Sequence, residues 1–159
     1  MNIDQLLSKT ESILDNYEKL SGLPEFSVFD VSEVSQYFQM TIEQLNNLTH
    51  IDCANASYLL AQYAFYIQRL VNRESARLRW ATDQTTKLIC DKIDNYSVYT
   101  KYDCKIALIA KENEAVNRLQ AVVSYTSQTI ERLNFLSNSI KNMSDIMSNI
   151  QKVKSFQLR

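Results

Sequence analysis

Apolar positions recur along this chain at spacings of three and four with few interruptions. Ile3, Leu6, Thr10, Ile13, Tyr17 and Leu20 alternate those spacings, which predicts an amphipathic helix over roughly residues 3–20 with Asn2 as its candidate cap. Gly22, Leu23 and Pro24 end it, because glycine accepts the left-handed C-terminal cap and proline restricts the residue before it. A shorter helix is predicted from Asp30 or Ser32 through Val34, Tyr37, Phe38 and Ile42, followed by a break over 48–52. Asp52 then suits the N-cap of a long helix through Leu59, Leu60, Tyr63, Ile67, Val71, Leu78, Ala81, Thr85 and Leu88, ending at Ile93 or Tyr96.

Residues 97–104 are the predicted reversal, although neither glycine nor proline enforces it. From Ile106 the helical pattern resumes. Ile109, Val116, Val123 and Ile130 lie seven apart, and Leu119, Thr126, Leu133, Ile140 and Met147 form a second seven-residue register. Leu136, Met143 and Ile150 widen the apolar face near the end. One helix over roughly 106–154 would be ~70 Å long at 1.5 Å per residue. Its stripe must be covered by a returning helix, another protomer or both. Val116, Leu119, Val123, Ile130, Leu133 and Ile140 are the candidate oligomerisation seam. Met143 and Met147 read as flexible core fillers. The expected fold is all-α, an elongated helical hairpin of long coiled-coil-like helices. The expected segments are an acidic helical appendage (1–24), a short helix with linker (25–51) and an oligomerising core (52–159).

Composition narrows the function classes. One glycine and one proline in 159 residues argue against hairpins, barrels and phosphate-cradling loops. Cys53, Cys90 and Cys104 are widely spaced and odd in number, and His50 is the single histidine, so neither a disulfide framework nor a metal site is expected. His50, Asp52 and Cys53 cluster too tightly around a helix start to converge as a catalytic trio; capping is the better reading. No catalytic residues, no metal and no cofactor are expected. The opening residues lack a basic region followed by an apolar block, and no uncharged apolar run approaches the ~20 residues that span a bilayer. The expectation is a chain without membrane attachment. Glycosylation-like patterns at Asn47, Asn55, Asn95 and Asn142 read as chance in an asparagine-rich chain.

Charge is strongly segregated. Residues 1–68 carry Lys9 and Lys19 against nine acids, a formal −7, and residues 69–159 carry fifteen Lys or Arg against nine acids, +6. Two opposite fields under a near-neutral total point to contact with a polyanion or a charged partner. Lys87, Lys92, Lys101 and Lys105 are the candidate phosphate contacts, with Tyr96, Tyr99 and Tyr102 interleaved, of which Tyr99 and Tyr102 are the candidate base-stacking platforms. Spaced three apart, the same tyrosines also suit interhelical packing. Arg73, Arg77 and Arg79 offer a second positive surface, open to nucleic acid, to protomer contact or to solvation of the helix; with Arg69, the first two recur every four residues. Trp80 and the group Tyr58, Tyr63 and Tyr66 read as packing residues. Glu11, Asp15, Glu18 and Glu25 have three open uses: contact with a basic partner, occupancy of a neighbouring subunit's basic groove until a polyanion displaces them, or a solvated face.

Two stretches carry a family resemblance: YLLAQYAFYIQRLVNRESARLRWATDQTTKLICDKIDNY, residues 58–96, and LIAKENEAVNRLQAVVSYTSQTIERLNFLSNSIKNMSDIMSNIQKVKSF, residues 108–156. Together they resemble the UvsY family of bacteriophage recombination mediators, with a weaker fit over 40–57 and no counterpart for 1–39. The resemblance implies a small helical protein forming a ring-like homo-oligomer that binds single-stranded DNA. It implies non-enzymatic help in loading a phage recombinase onto DNA covered by single-strand-binding protein, during recombination, replication and repair in the host-cell cytoplasm. The family places part of its DNA-contacting face near the end of the first long helix. Lys92 stands where the pattern expects a basic residue, whereas Cys90 replaces one, with Lys87 about a turn away. The alternative reading is a helical phage assembly or scaffolding protein without a specific nucleic-acid function.

Overall fold

The structure, a computed structural model, describes residues 3–23 and 28–157. Six helices follow in order: α1 (Ile3–Leu20), α2 (Ser32–Phe38), α3 (Ile42–Asn47), α4 (His50–Ile93), α5 (Tyr102–Glu112) and α6 (Glu114–Phe156), and there is no strand among the described residues. None of these helices is long and apolar enough to cross a membrane. The all-α expectation holds.

Helix ends follow local chemistry. Gly22 closes α1 with φ of 73°, its N–H donating to the Lys19 carbonyl (3.1 Å) while the Leu23 N–H donates to that of Glu18 (3.1 Å). This left-handed cap satisfies two carbonyls that the helix end would otherwise strand. The predicted cap Asn2, and Pro24, lie outside the described residues. Ile42 does not continue the second helix as expected. Thr41 and Gln44 form a reciprocal capping box that begins α3 instead. Asp52 is likewise not the N-cap of α4: Thr49 takes that position. The Thr49 hydroxyl accepts from the Asp52 N–H (3.1 Å), and the Asp52 carboxylate accepts from the Thr49 N–H (2.9 Å) and hydroxyl (2.6 Å). These bonds from Thr49, side chain first and then backbone, hold the Asp52 carboxyl below the usual carboxylate range.

The helix expected over 106–154 is broken at Asn113, which adopts an extended conformation (φ −123°, ψ 101°). Its N–H closes α5 on the Ile109 carbonyl (2.9 Å), and its side-chain oxygen accepts from the Ala115 N–H (3.1 Å), capping α6. Ile109 and Val116, on either side of the break, are both buried in one cluster with Ile89 of α4. Packing therefore favours two helices over one straight rod.

The chain folds as two compact units, each discontinuous in sequence: residues 1–26 with 72–131, and residues 27–71 with 132–159. In the first, Ala81 and Leu119 are buried with Leu7, Trp80 and Leu88 packed against them, beside the Ile89, Ile109 and Val116 cluster. In the second, Ala56, Leu60, Ile67, Ile140 and Met147 form the core, backed by Tyr37, Leu45, Tyr63 and Leu133. Phe29, Phe38, Tyr63 and Tyr66 form an aromatic group there, with Tyr63 and Tyr66 stacked at 6.2 Å. Ser57 and Ser144 exchange side-chain-to-carbonyl bonds across α4 and α6 (3.0 and 2.8 Å). Seven residues on along α4 and seven back along α6, the Ser137 hydroxyl reaches the Ala64 carbonyl (3.5 Å). That antiparallel step matches the seven-residue register of the sequence. The Lys154 ammonium donates to the carbonyls of Leu45 and Asn46 (3.2 and 2.8 Å) and to that of Leu48, placing a cation at the negative C-terminal end of α3.

Three of the six candidate oligomerisation residues are buried within the protomer. Val116, Leu119 and Ile140 are buried in these cores, and Val123, Ile130 and Leu133 are half-buried. A different part of α6 keeps apolar side chains in solvent: Phe135, Ile146 and Val153 are exposed.

Candidate nucleic-acid interface

All nine candidate nucleic-acid contacts fall within the first unit. The last turns of α4 carry Lys87 and Lys92, the following connection carries Tyr99, Lys101 precedes α5, and Tyr102 opens it. Lys87, Lys92 and Lys101 are exposed and form no ion pair among the described residues. Each therefore offers a hydrated ammonium at no cost in broken contacts. Arg79 is exposed in the same way.

The tyrosines divide. Tyr96 is half-buried against the Ile89 cluster, and its hydroxyl donates to the Glu112 carboxylate (2.7 Å). That bond, with burial and the carboxylate charge after it, pushes the Tyr96 hydroxyl above its ordinary pKa. Tyr96 ties the connection to the end of α5 and is spent on structure. Tyr99 and Tyr102, by contrast, are 94% and 62% exposed, so their ring faces are open to a stacking partner. Lys105 is half-buried, and its ammonium donates to the Tyr96 carbonyl (3.4 Å). It braces the connection rather than projecting from it.

Tyr102 also lines an open groove of about 340 Å³ between α4, α5 and α6, together with Thr86, Cys90, Ile106, Gln120 and Val123. The hydroxyls of Thr82, Thr85 and Thr86, on the same groove, each donate to a carbonyl four residues back in α4 (2.9, 2.8 and 2.9 Å). Their donor capacity is used, which leaves the α4 wall with methyl groups and acceptor oxygens. The thiol of Cys90, at the position where the resemblance expected a base, is exposed on this wall.

Arg73 and Arg77 are already occupied. The Arg73 guanidinium pairs with Asp15 (2.8 Å) and Glu18 (3.4 Å). Arg77 pairs with Glu74 (2.9 Å) and with Glu11. The acids of α1 thus lie on arginines of their own chain; Glu25 is outside the described residues. Sequence reasoning weighed these acids against a neighbouring subunit's basic groove and missed their pairing with Arg73 and Arg77 of the same chain. The signal was present: Glu11 and Asp15 are four apart, as are Arg73 and Arg77, so the two helices carry complementary stripes of matching pitch. Trp80, one turn beyond Arg77, shares its cluster with Leu7 of α1.

No group of three or more potential metal-binding side chains occurs among the described residues. No protein-family model matches the chain, and no curated protein or solved structure matches it.

Proposed function

We propose that this chain is a non-enzymatic recombination mediator of the UvsY type. In this reading a ring-like homo-oligomer binds single-stranded DNA and assists the loading of a phage recombinase onto DNA covered by single-strand-binding protein in the host-cell cytoplasm. The observation that carries the reading is the exposure of three unpaired lysines, Lys87, Lys92 and Lys101, and two tyrosines, Tyr99 and Tyr102, all between the last turns of α4 and the start of α5. Ammonium groups hold phosphates without selecting sequence, and tyrosine rings stack on unpaired bases, which a duplex does not offer. Arg79 is a further exposed cation of α4. Repetition of a weak site around an oligomer gives firm attachment with rapid local rearrangement, as loading another protein requires.

The deciding experiment is binding of a labelled oligo-dT strand at modest ionic strength, compared with duplex DNA and with the K87Q/K92Q/K101Q variant. Single-strand preference in the parent, lost in the variant, supports the reading. Absence of single-strand binding overturns it. A second reading, a helical phage assembly or scaffolding protein, draws on the exposed Phe135, Ile146 and Val153 of α6. Defined oligomers in sedimentation together with no affinity for single strands would select it.

A further inference from the structure

We infer that Arg73 and Arg77 form a second phosphate-binding site on α4, and that α1 is its built-in occupant, an acidic mimic of a single strand that DNA displaces. The inference rests on the single-strand reading above. Glu11 and Asp15, one turn apart on α1, face Arg77 and Arg73, one turn apart on α4, and Glu18 adds a second carboxylate to Arg73. Carboxylates one turn apart present charges ~6 Å from each other along the axis, a row of anions such as an extended sugar-phosphate chain also presents. Guanidinium groups suit either ligand, since their planar fork accepts carboxylate and phosphate oxygens alike.

The way α1 is held makes exchange possible. None of its described side chains, residues 5–20, is buried, and Ile13, Tyr17 and Leu20 stand 59%, 68% and 88% exposed. Leu7 is its member of a core cluster, alongside Trp80. Leu6 and Leu14 are half-buried like Leu7, so α1 is held by partly covered apolar side chains together with the ion pairs. The ion-pair share of that attachment is weakened by salt and by a competing polyanion, and left intact by a neutral ligand. Helix α1 ends at Leu20 and is closed by Gly22 in the left-handed conformation. Strand and α1 compete for the same two guanidinium groups, so each state excludes the other.

The full-length chain reports on this directly, because Trp80 is its single tryptophan and Leu7 shares its cluster. Four proteins are compared: the parent, E11Q/D15N/E18Q, the same variant with R73Q/R77Q added, and a charge-matched control, E33Q/E43Q/D145N. Binding to oligo-dT is measured across ionic strength, and Trp80 emission is recorded with and without the strand. The α1 variant is expected to bind on the order of tenfold more tightly than the parent. Its log–log salt slope steepens by about 1.4, two further phosphates at ~0.7 each, and adding R73Q/R77Q abolishes both gains. Trp80 emission shifts to the red when the parent binds the strand, and is already shifted in the α1 variant without DNA. An α1 variant indistinguishable from the charge-matched control, or a Trp80 emission that DNA leaves in place, overturns the inference while lysine-dependent binding stands. If no protein binds the strand, the single-strand reading falls and this inference with it.

Discussion

At the scale of single residues, burial separates side chains of similar chemistry. Leu60 and Ile146 are both aliphatic residues inside long helices, yet Leu60 is fully buried and Ile146 is 54% exposed. Leu60→Ala removes core volume and should cost about 2–5 kcal/mol in urea unfolding, whereas Ile146→Ala should stay within about 0.5 kcal/mol. Equal losses would contradict the core described above. Thr126 poses the opposite case. It lies in the seven-residue register, is fully buried, and its hydroxyl has no hydrogen-bond partner among the described residues. An unmet buried hydroxyl costs free energy that a methyl of similar size does not. Thr126→Val should therefore raise stability by about 1 kcal/mol, read as a higher urea midpoint with unchanged slope. The residue type was legible from sequence; the missing partner was not, because it depends on which atoms of other segments surround the position.

At the scale of elements, capping chemistry sets boundaries that periodicity blurs. The stop after α1 could be read from Gly22, since its left-handed conformation is strained for residues with a Cβ. The break at Asn113 was hidden by a seven-residue repeat that runs through it, although Lys111 in the last turn of α5 and Glu114 in the first turn of α6 are a terminus signature. Asp52 was expected as the cap of α4, but Thr49, three residues earlier, caps it and Asp52 answers from the third helical position. The depressed Asp52 pKa has a definite sign in stability. A carboxyl titrating lower in the folded chain contributes stability above its unfolded-state pKa, about 3.9, and loses it as pH falls through the folded value. Comparing urea midpoints of the parent and Asp52→Ala from pH 6 downward should show the parent's advantage shrinking below about pH 4. A gap independent of pH would exclude the charged capping bond as its source.

At the scale of the whole molecule, opposite charge on the two parts of the sequence does two jobs. Acids of α1 neutralise Arg73 and Arg77 within the protomer, while Lys87, Lys92 and Lys101 remain unpaired in solvent. Single-strand binding by the parent should accordingly weaken as salt rises, and K87Q/K92Q/K101Q should flatten the log–log slope by about 2.1, three phosphates at ~0.7 each. Adding K105Q should change the slope little, because that ammonium is engaged by the Tyr96 carbonyl. A slope untouched by the triple substitution would place the strand elsewhere. The sequence by itself determined the helical class, the extent of α1, the course of α4 and the segregation of charge. These are properties of neighbours three, four and seven apart, which backbone geometry brings together on one helix. Only the tertiary structure decided which cations are free, which tyrosine is consumed by packing, and that Val116, Leu119 and Ile140 of the seam expected on α6 are buried within the protomer. Those outcomes depend on pairings between segments up to 109 residues apart, such as Leu45 with Lys154, and no local periodicity encodes which surface another segment will cover.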